Sequence, residues 1–292
     1  MRRIGIFAAG VTLLLGCSPS SLIAQSWRTI SAQRSRHAID SLRVRLDFSA
    51  GVLRLGTAAP STLYDLKFRY DAEKFSAGAH YDSASRTLEL GTSNPPGRGR
   101  TRSYSVGLGG GSQHPNDLTL ALSRSTVLDL SLDVGATKST VDLGGLTIRR
   151  LHFRARASEA SLTFSSPNPA ELEELDIDAG AASVSVSQLG NAHARHLRAR
   201  AALGGLELGF GGGWTNDIDL RLTEALGSVT LHVPRDVGVK VRLDKLAASF
   251  DHAGMVSTVD GWITPAFERA THKLVVDADV TISGLTIDWI ER

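Results

Sequence analysis

The stretch Leu130-Ser-Leu-Asp-Val-Gly-Ala-Thr-Lys-Ser-Thr-Val141 decides the fold of this chain, because its pattern returns along the sequence. Apolar and polar residues first alternate, small residues follow, and an apolar residue, here called the anchor, ends the phrase. Alternation with a period of two is typical of a strand with one buried face. Successive anchors are 21 to 23 residues apart, except for a last interval of 35. The anchors are Val141, Leu162, Val184, Leu206, Val229, Phe250 and Leu285.

The residues before each anchor indicate that the phrases are true repeats. The residues nine and seven positions before every anchor are apolar, and the residue between them is always charged. Two positions before the anchor the residue is always Ser, Ala or Gly, as expected where a coil bends sharply. A period in this range predicts coils stacked along an axis, with equivalent residues ~4.8 Å apart. The predicted fold is therefore an all-β, stacked-strand β-solenoid that resembles a right-handed β-helix.

Three further regions are expected around this pattern. Residues 40–92 are predicted to form a small N-terminal β-layer that caps the stack, because alternating runs and most of the tyrosines lie there. Residues 93–116 are rich in Gly, Pro and Arg and predict a flexible loop. Residues 117–292 are the predicted repeat solenoid, with an insertion at 253–272. The segment Asp288–Arg292 is expected to cover the last coil, as solenoids require.

Residues 1–24 are predicted to be an export signal. Arg2 and Arg3 precede an apolar run that is too short to span a bilayer. The run ends in Leu14-Leu15-Gly16-Cys17, which resembles the lipobox of bacterial lipoproteins and predicts Cys17 as the lipid attachment site. Cleavage after Ala24 is the alternative. The chain is thus expected to be exported to the bacterial cell envelope, in the periplasm or at the cell surface, and bound to the membrane through a lipid anchor.

Several phrases resemble one known family. Leu130–Ala136, Leu175–Ala181, Val237–Leu243 and the earlier Leu63–Tyr70 are similar to the secreted domains called toast-rack, which are related to the C-terminal domain of LiaF-type cell-wall-antibiotic response proteins. The resemblance implies a stacked-strand fold in the cell envelope. Better-known relatives regulate envelope-stress signalling from the membrane, through membrane helices that this chain lacks. The family supplies no catalytic residues.

Motifs for common chemistries are missing from the sequence. The formal charge of +2 comes from 32 basic and 30 acidic residues, which gives no reason to expect nucleic acid as a partner. Neither Gly109–Ser112 nor Gly211–Trp214 leads into the Lys-Ser/Thr pair of a phosphate loop. His193 and His196 would point to opposite faces of a strand. No cofactor and no metal site are predicted, and the tryptophans are expected to pack or cap.

The charged residues eight positions before the anchors are the candidate functional surface. The first four alternate in sign. They could fix the register of the coils through cross-strand ion pairs. Alternatively, they could line a polar groove for a glycan or a partner protein. The residues of this candidate polar face are Asp133, Arg154, Asp176, Arg198, Arg221 and Arg242.

These features favour a non-catalytic binding, adhesion or stress-sensing module of the envelope, with an envelope glycan or a membrane protein as partner. A carbohydrate-active β-helix, such as a polysaccharide lyase or esterase, is the first alternative. That class needs clustered acids and bases in a groove walled by long loops, whereas acids and arginines alternate here. A regulator of a membrane sensor kinase is the second alternative.

Overall fold

The computed structural model describes residues 26–37, 39–93, 116–246 and 249–291. The predicted signal segment with Cys17, and residues 94–115 of the predicted loop, lie outside this part of the chain. No helix within the described ranges is long and apolar enough to cross a membrane.

The described chain is built almost entirely from strands, as the repeats predict. Two short 3-10 turns, Leu189–Ala192 and Phe267–Arg269, are its only helical elements. The strands before the C-terminal half are β1 Trp27–Ser35, β2 Ser41–Thr57, β3 Thr62–Asp71, β4 Ser76–Asp82, β5 Thr87–Ser93, β6 Asp117–Leu122, β7 Val127–Asp142, β8 Ile148–Ala155 and β9 Glu159–Thr163. The others are β10 Glu174–Ser187, β11 His196–Gly209, β12 Ile218–Pro234, β13 Gly238–Lys245, β14 Ser249–Asp251, β15 Val256–Thr258, β16 Gly261–Ile263 and β17 Lys273–Ile290.

Each coil contributes to two walls that meet at a bend. The residues before the bend pair with those of the adjacent coils and form the first wall. The residues after the bend pair in the same way and form the second wall. In β7, for example, Leu128–Val134 pairs with β8 and Lys138–Asp142 pairs with β9, both in parallel. From one end to the other the coils are stacked in the order β2, β7, β8 with β9, β10, β11, β12, β17, and β13 with β14.

The space between the walls is filled by ladders of apolar side chains, which confirms the predicted inward alternation. In the first wall Leu132 pairs with Phe153, Phe153 with Ile177, and Ile177 with Ala199. All four side chains are buried. Each backbone also finds partners in the coils on both sides, so its peptide groups are paired in the middle of the stack. Leu203, Leu226 and Ile282, neighbours next to the bend of three central coils, are by contrast exposed.

One step of the predicted register is wrong by two residues. Leu162 pairs with Val186 instead of the expected anchor Val184, and Phe153 pairs with Ile177 instead of Leu175. The side-chain period of a strand is two, so a slip of two residues keeps every apolar residue inside. Alternation alone therefore cannot distinguish the two registers.

The expected order of the last coils is also wrong. β17 lies between β12 and the β13–β14 coil, so Leu285 pairs with Val229 on one side and with Phe250 on the other. The C-terminal strand is consequently an inner coil and not the cover. The insertion after β14 carries the chain from the outermost coil back to the position of β17. Its hairpin β15–β16 pairs with the outer edge of β13 at Lys240 and Val241.

Antiparallel strands close the opposite end of the stack. β5 and β6 pair in parallel with the two halves of β2. β4 then adds to β5, and β3 and β1 add in turn to β6, all antiparallel. The Arg34 guanidinium lies 4.2 Å from the Tyr81 ring centre, and the Tyr64 and Tyr81 rings are 5.9 Å apart. The predicted aromatic cluster thus packs where the parallel coils end.

Stacked glycines form the bend in two neighbouring coils. Gly204 of β11 pairs with Gly227 of β12, and their φ angles are +118° and +144°. A Cβ on Gly227 would lie 2.0 Å from the carbonyl oxygen of Gly204. The left-handed backbone and the close approach of the coils both require glycine here.

A single carboxyl group occupies the inner ladder next to this bend. Glu224 pairs with Ala201 and Val280 on the adjacent coils and is only 1% exposed. Among the described residues neither carboxylate oxygen makes a well-formed hydrogen bond, and the Ser283 hydroxyl is the one polar group close enough to lower its pKa, by less than burial raises it. Burial raises the pKa of Glu224, because the ionised form loses its hydration. An unpaired buried polar group of this kind costs about 1–3 kcal/mol.

Replacing Glu224 with Met should therefore stabilise the protein at neutral pH. Because the folded pKa is raised, ionisation favours the unfolded state once the pH exceeds the unfolded pKa of Glu, about 4.3. Thermal unfolding at pH 7 should give a higher Tm for Glu224→Met, by about 2–4 °C per kcal/mol gained.

The pH dependence separates this explanation from a simple packing effect. The Tm advantage of Glu224→Met should shrink at pH 4, where the carboxyl is largely protonated in both states. An advantage of equal size at both pH values would show that ionisation of Glu224 is not the cause.

A polar groove on the first wall

The candidate residues lie in two neighbouring rows of outward side chains on the first wall. Members of a row follow one another from coil to coil through the cross-strand register. The first row is Arg45, Ser131, His152, Asp176, Arg198, Arg221, Asp277 and Arg242. The second row is Asp47, Asp133, Arg154, Asp178, Arg200, Thr223, Asp279 and Asp244.

The two-residue slip between β8 and β10 distributes the candidate residues over both rows. Asp133 and Arg154 lie in the second row, and the slip moves the neighbour of Arg154 from Asp176 to Asp178. The other four candidates, Asp176, Arg198, Arg221 and Arg242, lie in the first row, where Asp277 separates the last two. All six face outward on the same wall.

Ion pairs connect the coils along the first half of both rows. Asp176 lies 3.2 Å from Arg198, and Asp178 lies 3.4 Å from Arg154 and 3.3 Å from Arg200. The hydrogen bond to Asp133 raises the pKa of Arg156, with N and O 2.6 Å apart. Each exposed pair contributes at most about 1 kcal/mol. Together they stabilise the observed alignment of the coils, because opposite charges on neighbouring strands attract.

Near the β13 end of the rows, unpaired charges stand beside one remaining ion pair, that of Arg242 with Asp277 at 3.2 Å. Arg221 stands beside Arg198 and has no hydrogen bond or ion pair among the described residues. In the second row Asp279 and Asp244 are cross-strand neighbours of like charge, and within the described ranges neither has an ion pair. Like charges directly opposite one another destabilise a sheet.

This end of the wall is a groove, here called the polar groove. The hairpin β15–β16 overhangs it and encloses a cavity of ≈ 1070 Å³, which Arg221, Asp244, Asp279 and Trp262 help to line. A second cavity of ≈ 690 Å³ continues toward β10, and Arg221 borders both. The polar groove is thus an open depression with unpaired charges of both signs on its floor.

The three tryptophans of the repeat region have separate packing roles. Trp214 is buried, and its indole donates a hydrogen bond of 2.8 Å to the carbonyl of Phe210. The Trp289 indole donates to the carbonyl of Ala253. Trp262 packs edge-on against Phe250 at 5.1 Å, and this contact holds the hairpin over the groove.

The structure also assembles three residues that the sequence reading did not combine. His152 of β8 lies 3.5 Å from Glu174 and 3.4 Å from Asp176 of β10. The predicted register placed His152 opposite Glu174 and left Asp176 beside Arg154. The sequence signal for the cluster was the pair Glu174 and Asp176, two residues apart on one face of the strand.

Comparison with known proteins identifies the family. Residues 24–187 match the family described as the N-terminal domain of toast_rack. This match covers more than half of the chain, so the protein belongs to the toast-rack family, as its phrases predict. No curated protein matches the chain.

Three bacterial proteins of known structure match most of the chain at low identity. A candidate cell adhesion protein from Clostridium sporogenes is 12% identical, with a TM-score of 0.43; the match covers 91% of this chain and 100% of that one. A candidate adhesin from Bacteroides fragilis is 11% identical, with a TM-score of 0.37 and coverages of 89% and 97%. A candidate adhesin from Parabacteroides distasonis is 9% identical, with a TM-score of 0.37 and coverages of 90% and 97%.

The ion-pair rows predict that Asp176→Arg destabilises the fold. The change removes the contacts of Asp176 with Arg198 and His152 and places a new guanidinium beside Arg198. With cross-strand charge pairs at about 0.2–1 kcal/mol each, the loss should be about 1–2 kcal/mol. Thermal or urea unfolding measures it.

Asp65→Arg is the matched control, because Asp65 is exposed on β3 opposite the uncharged residues Gln33 and Ala121. It should leave the unfolding free energy nearly unchanged. Equal destabilisation by both variants would mean that the rows do not contribute specifically.

Proposed function

We propose that this protein is a non-enzymatic binding module of the bacterial cell envelope, and that its polar groove binds an envelope glycan. The observation that carries the proposal is the set of unpaired charges near the β13 end of the rows. Arg221, Asp244 and Asp279 have no ion-pair partner among the described residues, and all three line the cavity beneath the hairpin β15–β16.

The unpaired groups match the chemistry of a polyhydroxyl ligand. The Arg221 guanidinium offers planar donors, and the two carboxylates offer acceptors, so neighbouring sugar hydroxyls can meet both kinds of partner. Asp244 and Asp279 oppose each other at a cost in stability. A ligand that donates hydrogen bonds to both carboxylates would offset that cost, so the repulsion between them favours binding.

The rigidity of the wall supports binding over a large area. The strands beneath the groove are anchored by buried residues such as Leu220, Leu222 and Val276. Side chains on such a scaffold need little reorganisation when a ligand binds, so less entropy is lost.

The paired acids argue against the alternative of a polysaccharide lyase or esterase. Such enzymes need a general base or an activated nucleophile that is free to reach the reacting group of the substrate. In the groove, Asp176 and Asp277 are instead held in ion pairs, 3.2 Å from Arg198 and Arg242.

Glycan binding should depend on Arg221. On an array of defined bacterial envelope glycans, including peptidoglycan fragments and acidic polysaccharides, Arg221→Ala should bind the recognised glycan about 10-fold or more weakly, since a hydrogen bond to a charged group contributes about 1.5–3 kcal/mol. Asp279→Asn should also weaken binding, while its Tm stays equal or rises because the repulsion from Asp244 is relieved.

Lys67→Ala is the control, because Lys67 is exposed and lies on β3 of the second wall, away from the groove. This variant should bind like the unmodified protein. Full binding by Arg221→Ala, or no binding to any glycan, would contradict the proposal. New reducing ends or unsaturated products after incubation would favour the enzyme alternative instead.

We also propose that Cys17 anchors the module to the membrane. The resemblance of Leu14–Cys17 to a lipobox supports this proposal. Cleavage before Cys17 would leave a short stretch of chain between the lipid and β1. Cys17→Ser should abolish incorporation of labelled palmitate in a bacterial host and move the protein from the membrane fraction to the soluble fraction, because stable anchoring needs the acyl chains.

A mature N-terminus at Gln25, found by mass spectrometry, would instead show ordinary signal cleavage after Ala24. If a crosslinking pull-down retrieved a sensor kinase only with the anchored form, the regulator alternative would gain support over glycan binding.

A further inference from the structure

We propose that His152, Glu174 and Asp176 form a binding site for a divalent transition metal of the Zn²⁺ class. One ligand atom from each residue can be chosen so that all three lie within 4.8 Å of one another. This site is distinct from the unpaired charges beneath the hairpin, and it does not depend on glycan binding.

The backbone fixes the positions of all three residues. His152 and Asp176 are cross-strand neighbours in adjacent parallel coils, and Glu174 precedes Asp176 by two residues on the same outward face. Their immediate neighbours in sequence, Leu151, Phe153 and Leu175, are buried in the apolar ladders. The three side chains therefore start from Cα atoms that the core holds in place, as a metal site requires.

The donor set suits a transition metal. One imidazole nitrogen with two carboxylate oxygens is a combination that Zn²⁺ accepts, whereas Ca²⁺ and Mg²⁺ prefer oxygen alone. The nitrogen-to-oxygen distances are 3.5 Å to Glu174 and 3.4 Å to Asp176. Ligands bound at about 2.0–2.2 Å in a tetrahedral site stand about 3.3–3.6 Å from one another, so each carboxylate already lies at a suitable distance from one of the two imidazole nitrogens.

The imidazole has to turn to complete the site. Nε2 of His152 faces Glu174 while Nδ1 faces Asp176, so the ring must rotate for one nitrogen to share an ion with both carboxylates. The His152 side chain is 44% exposed, which gives it room to turn and gives an ion access from solvent. Water would supply the remaining ligand.

The local charge also favours a cation. Two carboxylates converge here, and Arg198 contacts only Asp176, at 3.2 Å. Glu174 has His152 as its one side-chain partner within the described chain. The cross-strand neighbour of Glu174, Arg150, pairs with Asp129 and Glu173 instead, so a bound ion would give Glu174 the cation that it lacks. It would also join β8 to β10 at the step where apolar alternation leaves the register undecided.

Isothermal titration of the tag-free mature protein with Zn²⁺ at pH 7.5 tests the site. One equivalent should bind with a micromolar or tighter Kd, and His152→Ala and Glu174→Gln should each weaken it at least 10-fold. Co²⁺ in place of Zn²⁺ should give visible absorption bands of a four-coordinate site, and these should vanish in His152→Ala.

His232→Ala is the matched control, because His232 pairs with a single carboxylate, Asp288, at 2.9 Å and belongs to no cluster of three. It should bind Zn²⁺ like the unmodified protein. Millimolar binding by the unmodified protein would overturn the proposal, as would equal loss in His232→Ala. Circular dichroism of each variant establishes that it is folded before titration.

Discussion

The structure depends on parallel hydrogen bonding between successive coils that keep their side chains in register. Every backbone in the middle of the stack is paired on both sides, which leaves the apolar ladders between the two walls and the charged rows outside. The tight bend is part of the same constraint. Coils ~4.8 Å apart leave no room for a Cβ where Gly227 approaches the carbonyl of Gly204.

Register within the stack is specified by more than the hydrophobic pattern. Alternation permits shifts of two residues, and such a shift separates Leu162 from its expected partner Val184. Opposite charges on the outer face stabilise the observed alignment, in which Asp178 sits between Arg154 and Arg200. A shift of two residues would pair Arg154 with Asp176 and Arg156 with Asp178, so the charges alone do not select the register either. Each ion pair is weak, but several of them follow one another along the wall, so their contributions add.

The same wall contains both stabilising and unpaired charges, and their separation links fold to proposed function. Near β10 the charges hold neighbouring coils together, whereas Arg221, Asp244 and Asp279 remain unpaired beneath the hairpin. That hairpin exists because the chain leaves the outermost coil and returns to insert β17 as an inner strand. The groove is therefore a product of the unusual coil order, and the cluster around His152 is a product of the register slip.

The sequence by itself determined the all-β class, the coil length, the inward and outward residues and the family, because each follows from local alternation repeated at a regular interval. It also predicted the outward position of the six charged candidates. The tertiary structure alone decided which charges are neighbours, since a two-residue slip changes partners without exposing a single apolar residue. It alone decided the position of β17 as well. Leu285 and Phe250 are both suitable apolar partners for Val229, and only the path through the 253–272 insertion selects between them.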